Sequence, residues 1–189
     1  FLEKSNIYID FYRLSIVDLP SGSQPKTDKD GNYTLFFNGE IYNFKNLKKE
    51  LIDLGVNFET NSDTEVLLQI FNKFGITGLN KLNGMFSICL IDNINDFTYL
   101  IRDQFGIKPL YYIFENNYIK FSSEAKTLVS KYHNISESSL GQYLSYQFYL
   151  NNETIYNNIY SVDPGCYLKI NNKTRENSLE RYFNLQFLN

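Results

Sequence analysis

The chain has 189 residues, 43% of them hydrophobic and 17% aromatic, enough to build one domain around a sizeable core. Its 18 basic and 21 acidic side chains are spread along the sequence and leave a net charge of -3. With no basic tract to neutralise a run of phosphates, nucleic acid is not expected as a partner. The longest apolar stretches, such as Met85 to Ile91, fall far short of the roughly 20 residues of a membrane-spanning helix. No membrane association is expected.

The first residues, Phe1 to Asn6, show neither the pattern of a signal peptide nor an initiating methionine, so the chain is expected to begin part-way through a longer protein. Ile7 to Ile9 and Leu14 to Val17 read as strands, and residues 19 to 25, with two prolines and a glycine, break any regular element. Asp28 to Asn32 reads as a turn. The β-prone run Tyr33 to Phe37 is expected to stop in a tight turn at Asn38-Gly39, after which Leu47, Leu51 and Leu54 recur at helical spacing until Gly55.

Ser62 to Glu65 has the form of a capping box, and Val66, Leu67, Ile70, Phe71 and Phe74 make one apolar face that ends at Gly75. Met85 to Ile91 and Phe97 to Arg102 read as a hairpin, as do Tyr111 to Phe114 and Tyr118 to Phe121. A short helix is expected over Ser123 to Lys131 and a longer one over Glu137 to Phe148. Strand character returns from Ile159 to Ile170 around Asp163-Pro164-Gly165. Strands clustered in hairpins predict an α+β fold with antiparallel sheets. The Asn-rich stretch 151 to 158 is a sensible boundary, dividing a domain over 1–150 from a connector over 151–189.

Few residues could carry chemistry. His133 is the single histidine, and its setting after a helix reads as a surface position. Neither Cys89 nor Cys166 has a neighbouring ligand at metal-binding spacing, and no phosphate-binding glycine loop occurs. Cys89, inside an apolar run, reads as a small core residue, so a disulfide framework is not expected and a reducing cytoplasm fits.

A polar set remains at the ends of the elements: Arg13, Asn38 with Gly39 and Glu40, and Asp63. Singly, these residues suit a surface ion pair, a hairpin turn and a helix N-terminus. Together they suit an amino acid that bears a side-chain carbonyl. Arg13 offers a bidentate fork to a carboxylate and Asp63 an acceptor to an ammonium. The Asn38 amide and the Gly39 backbone N–H could both point at a carbonyl oxygen that turns negative in a tetrahedral intermediate.

These residues stand in segments that resemble the glutaminase domain of asparagine synthetase, a class II glutamine amidotransferase of the N-terminal-nucleophile (Ntn) hydrolase superfamily. Residues 13 to 19 with Gly22 and Gln24-Pro25 resemble its first substrate segment, 38 to 43 its oxyanion segment, and 62 to 65 the segment that holds the α-amino group. Residues 82 to 86, 102 to 112 and 121 to 126 also match in family order, as do Val162 to Leu168 and Arg181 to Phe183. Residues 102 to 112 and 121 to 126 are read as mainly structural or as facing a next domain, and Val162 to Leu168 with Arg181 to Phe183 as the connection into it.

The resemblance implies a four-layer αββα sandwich of two antiparallel sheets, lacking its first strands. Its substrate site would comprise Arg13, Leu14, Ser15, Ile16, Val17, Asn38, Gly39, Glu40 and Asp63, with Asn38 and Gly39 as the oxyanion hole. The implied ligand is L-glutamine. The implied partner is an ATP-dependent synthetase domain, normally of the same chain, using ATP and Mg²⁺ to make asparagine, and a homodimer is compatible with it.

The departures are equally plain. Such enzymes attack with a cysteine that is the first residue of the mature chain, whose α-amine, with a pKa near 7.7 to 8.0, can act as base. Here the first residue is Phe1, the expected Arg-Gly-Pro-Asp segment before Arg13 is missing, and Phe11-Tyr12 replaces a histidine-containing sequence. The sequence thus reads as a truncated amidotransferase domain, inactive as it stands. Two other readings stay open: a degenerate amino-acid-binding module, and an amidotransferase that serves a different acceptor.

Overall fold

The computed structural model describes residues 24–115, 118–131 and 133–185. Strand β1 (Lys26–Thr27) pairs with β2 (Tyr33–Ile41), and helices α1 (Phe44–Asp53) and α2 (Asp63–Phe74) follow. The hairpins are β3 (Gly84–Asp92) with β4 (Phe97–Arg102), and β5 (Tyr111–Glu115) with β6 (Tyr118–Ser122). Helix α3 (Glu137–Tyr146) precedes β7 (Tyr160–Ser161), β8 (Cys166–Asn171) and β9 (Asn177–Arg181). Every pairing is antiparallel: one sheet runs β1-β2-β3-β4-β8-β9, the other β6-β5-β7.

Alternation along β2 divides the interior. Tyr33, Leu35, Phe37 and Ile41 join Leu47 and Leu51 of α1 and Val66, Leu67, Ile70 and Phe71 of α2 in one core. Phe36, on the opposite face, meets Cys89, Ile91 and Leu100, and across the gap Leu110, Tyr112 and Val162, in a second core between the sheets. A smaller third cluster, Ile113, Leu128 and Ile159, covers the outer face of the second sheet, where a 3-10 helix, Ala125–Leu128, lies against it. The α+β architecture with two antiparallel sheets is as expected, and Cys89 is the small core residue foreseen. The expected strands at 7–9 and 14–17 lie outside the described residues.

Several local expectations are corrected. Asn38-Gly39 is not a turn; β2 runs on to Ile41, with Asn38 opposite Ser87 and Gly39 opposite Phe86. Ile41 is buried in the first core, so continuing the strand gains apolar burial, and the chain turns at Tyr42-Asn43 instead. The helix expected over 123–131 shrinks to one 3-10 turn, with Val129 already extended at its end. The strand character of 159–170 divides between the two sheets: β7 pairs with β5, β8 pairs with β4, and Asp163-Pro164-Gly165 turns between them. Residues 151–189 therefore contribute strands to both sheets. No helix among the described residues is long and apolar enough to cross a membrane.

Candidate functional site

The site is built around the end of β2. Just before Asn38, the side chain of Gln24 docks on the backbone of Phe37: its Nε2 donates to the Phe37 carbonyl at 2.8 Å, and its Oε1 accepts from the Phe37 N–H at 2.6 Å. A side-chain amide thus stands in for a strand partner where β1 is absent, and it fixes the backbone that carries Asn38. Asn38 shares the β2 face of Phe36, toward the second sheet, and its Nδ2 donates to Ser123 Oγ at 3.2 Å. That contact joins the two sheets at the site.

Gly39 is required by space and by conformation. Its φ is +148°, and a Cβ there would sit 2.0 Å from the Met85 carbonyl oxygen and 2.7 Å from Phe86 Cα. Opposite Ile41, Gly84 is constrained by space alone, since a Cβ would sit 2.2 Å from the Glu40 carbonyl oxygen. The two glycines let β2 and β3 close tightly beside Asn38. Glu40, next along β2, is half-buried opposite Met85.

Three residues beyond Asn38, the backbone N–H of Ile41 points to Asp63 Oδ2 at 3.5 Å. Asp63, only 3% exposed, opens α2, so its carboxylate lies at the positive end of that helix. Ser62 caps α2 by accepting from the Glu65 N–H at 3.2 Å. The reciprocal half of the capping box is redirected: Glu65 accepts from the N–H groups of Glu59 (2.9 Å) and Thr60 (2.6 Å), tying the preceding loop to the helix. The structure thus brings Asn38, Gly39, Glu40 and Asp63 to the end of one strand and the helix packed on it. Arg13, Leu14, Ser15, Ile16 and Val17 lie outside the described residues.

The remaining segments of the pattern are supports. Asn43 donates to the Lys81 carbonyl at 2.9 Å and accepts from the Asn83 N–H at 3.0 Å, holding the loop before β3. Asp103, fully buried, accepts from the N–H groups of Phe86, Phe105, Ile107 and Lys108. Arg102 beside it donates to the carbonyls of Gly106, Lys108 and Val162. A buried carboxylate and a guanidinium thus satisfy the backbone of the loop over 105–108 and tie it to β3 and to Val162.

Two other groups were candidates for chemistry. His133 is not a surface residue, for its side chain is 8% exposed; Nδ1 accepts from the Ser130 N–H at 2.8 Å, and Nε2 lies 3.4 Å from Glu115 Oε1. It closes a tight turn. Cys89 and Cys166 are free and buried, and burial pushes both thiols above their ordinary range. Among the described residues no cluster of three His, Cys, Asp or Glu could hold a metal ion.

Sequence reasoning did not assign the contact of Ser123 with Asn38. Ser123 lay in a segment read as structural, and its partner is 85 residues away. No local periodicity reports such a contact.

Comparison with known proteins defines the class. The sequence matches the glutamine amidotransferase domain family over residues 1–183, and the chain belongs to that family. Among its relatives, asparagine synthetase [glutamine-hydrolyzing] 1 of Bacillus subtilis (strain 168) is 40% identical over 90% of this chain and 27% of its own length. Asparagine synthetase [glutamine-hydrolyzing] 2 of the same organism is 38% identical over 96% of this chain and 25% of its own. The chain thus spans about a quarter of these curated relatives. Among solved structures, glutamine phosphoribosylpyrophosphate (PRPP) amidotransferase from B. subtilis, complexed with ADP and GMP, superposes with a TM-score of 0.60. It is 23% identical and covers 85% of this chain and 32% of its own, a likeness of fold.

Proposed function

We propose that the chain is the glutamine-binding part of a glutamine-hydrolysing amidotransferase of the asparagine synthase kind. The reaction would release glutamate and ammonia from L-glutamine, and the ammonia would pass to an ATP-dependent synthetase segment that amidates aspartate. The observation that carries this reading is the placement of Asn38: a primary amide at the end of a buried strand, anchored through Nδ2, beside a glycine that no other residue could replace.

In this reading Arg13, with Leu14 to Val17, receives the α-carboxylate and Asp63 receives the α-ammonium. The second Nδ2 hydrogen of Asn38 and the Gly39 N–H face the side-chain carbonyl. Attack on that carbonyl moves negative charge onto its oxygen, and donors fixed in advance stabilise that charge more than they stabilise the neutral amide. Glu40 lines the same strand end.

The attacking thiol is neither Cys89 nor Cys166. Both are buried with their thiols held protonated, whereas the thiolate is the nucleophile. By itself the chain is expected to bind glutamine without hydrolysing it. ATP and Mg²⁺ belong to the activation of aspartate, and no step here passes through them.

Calorimetric titration with L-glutamine tests the proposal. The chain should bind L-glutamine in preference to D-glutamine without releasing ammonia, and Asp63→Asn should weaken binding about ten-fold or more. Equal affinity for the two enantiomers, or an unchanged Asp63→Asn variant, would overturn it.

A further inference from the structure

We infer that Ser123 is a positioning residue for the oxyanion-binding amide, holding the Asn38 side chain in place from the opposite sheet. The inference rests on the glutamine-binding reading and adds to it a residue from the second sheet. Asn38 is exposed, so without an anchor its amide would sample several rotamers and lose entropy on meeting a ligand. The bond from Nδ2 to Ser123 Oγ at 3.2 Å occupies one of the two amide hydrogens and fixes the amide group in space. The second hydrogen stays available to a ligand oxygen.

An anchor is useful only if it is itself fixed, and Ser123 is. It directly follows β6, whose last residue, Ser122, pairs with Tyr111. The Ser122 hydroxyl accepts from the Glu124 N–H at 3.1 Å and lies 2.7 Å from Thr127 Oγ1. Thr127 in turn bonds the Glu124 carbonyl through its hydroxyl at 2.7 Å and its N–H at 3.2 Å. The 3-10 turn is pinned by Leu128, buried with Ile113 and Ile159. Ser123 therefore sits between a strand and a side-chain-bonded turn, and among the described residues its hydroxyl is the partner of the Asn38 amide. Donors placed by such supports lose less entropy on engaging a developing charge.

Nuclear magnetic resonance of the whole chain, labelled to reveal side-chain amides, separates the possibilities. In the wild type the Asn38 amide should be ordered and should shift on addition of L-glutamine. Ser123→Ala should lower its order parameter and raise the dissociation constant about five-fold for L-glutamine and roughly ten-fold for L-glutamate, whose charged γ-carboxylate depends more on a fixed donor. Ser123→Thr, which keeps the hydroxyl, should restore order and both affinities. A Ser123→Ala chain with an equally ordered amide and unchanged affinities would overturn the positioning role. If Ser123→Ala loosens the amide but no ligand shifts it even in the wild type, the glutamine-binding reading fails, and with it the role of Ser123 toward a ligand.

Discussion

Gly39 concentrates two constraints in one residue. Its positive φ disfavours any L side chain, and the Met85 carbonyl oxygen occupies the place of a Cβ. Gly39→Ala is therefore expected to cost on the order of 3 kcal/mol, because β2 and β3 must part for the methyl to fit. Urea denaturation would measure it, and a loss under about 0.5 kcal/mol would show that the strands yield easily. Asn38 is the opposite kind of residue, its side chain exposed and bonded to Ser123 by one long hydrogen bond. Asn38→Ala should leave the denaturation midpoint nearly unchanged while weakening glutamine binding. Those two outcomes together would separate stability from binding at adjacent positions.

At the scale of elements, the N-terminus of α2 joins site and fold. Glu65 is buried and spends its carboxylate on the N–H groups of Glu59 and Thr60 rather than on the cap residue itself. Glu65→Ala leaves both donors without a protein acceptor, with an expected loss of about 2 kcal/mol in chemical denaturation. The loop should also exchange its amide hydrogens faster, while β3 and β4 keep their protection. Uniform acceleration across the chain would mean that the loop is no separate unit.

For the whole molecule, buried and partly buried tyrosines are expected to set the alkaline limit. Burial is the leading cause that raises the phenols of Tyr99, Tyr112, Tyr167 and Tyr182, that of Tyr99 up to about 12 from an ordinary 10.0. The fold prefers each phenol neutral, so the stability they contribute is whole below pH 10 and is lost as pH rises through the folded values. The melting temperature should hold up to that point and fall above it, and tyrosinate absorbance should rise together with unfolding. Full ionisation of every tyrosine in the folded chain would contradict this. A second whole-molecule property is exposed apolar surface. Helix α3 and the turn after it leave Leu140, Tyr143, Leu144, Tyr146, Phe148 and Leu150 exposed, Leu144 at 75%. The chain should bind a hydrophobic dye, and Leu144→Glu should reduce that fluorescence markedly.

The sequence by itself determined what repeats at short range. Helical spacing marked α1 and α2, β-prone runs joined by polar turns marked the hairpins β3–β4 and β5–β6, and the order of short segments marked the family. The types of the proposed site residues can be named from the sequence too, because an amide, a glycine and a carboxylate each carry a definite chemistry. Only the tertiary structure decided what long-range pairing controls. Asn38-Gly39 reads locally as a turn but is held extended because β3 lies opposite and Ile41 finds the core. Residues 159 to 170 read as a return of strand character around Asp163-Pro164-Gly165, yet they serve two sheets. Strand β9, largely exposed, carries no apolar alternation to reveal it. Ser123 reaches Asn38 across the gap between the sheets. Such contacts depend on which surfaces meet after both sheets have formed, and the spacing of neighbours along the chain holds no trace of that.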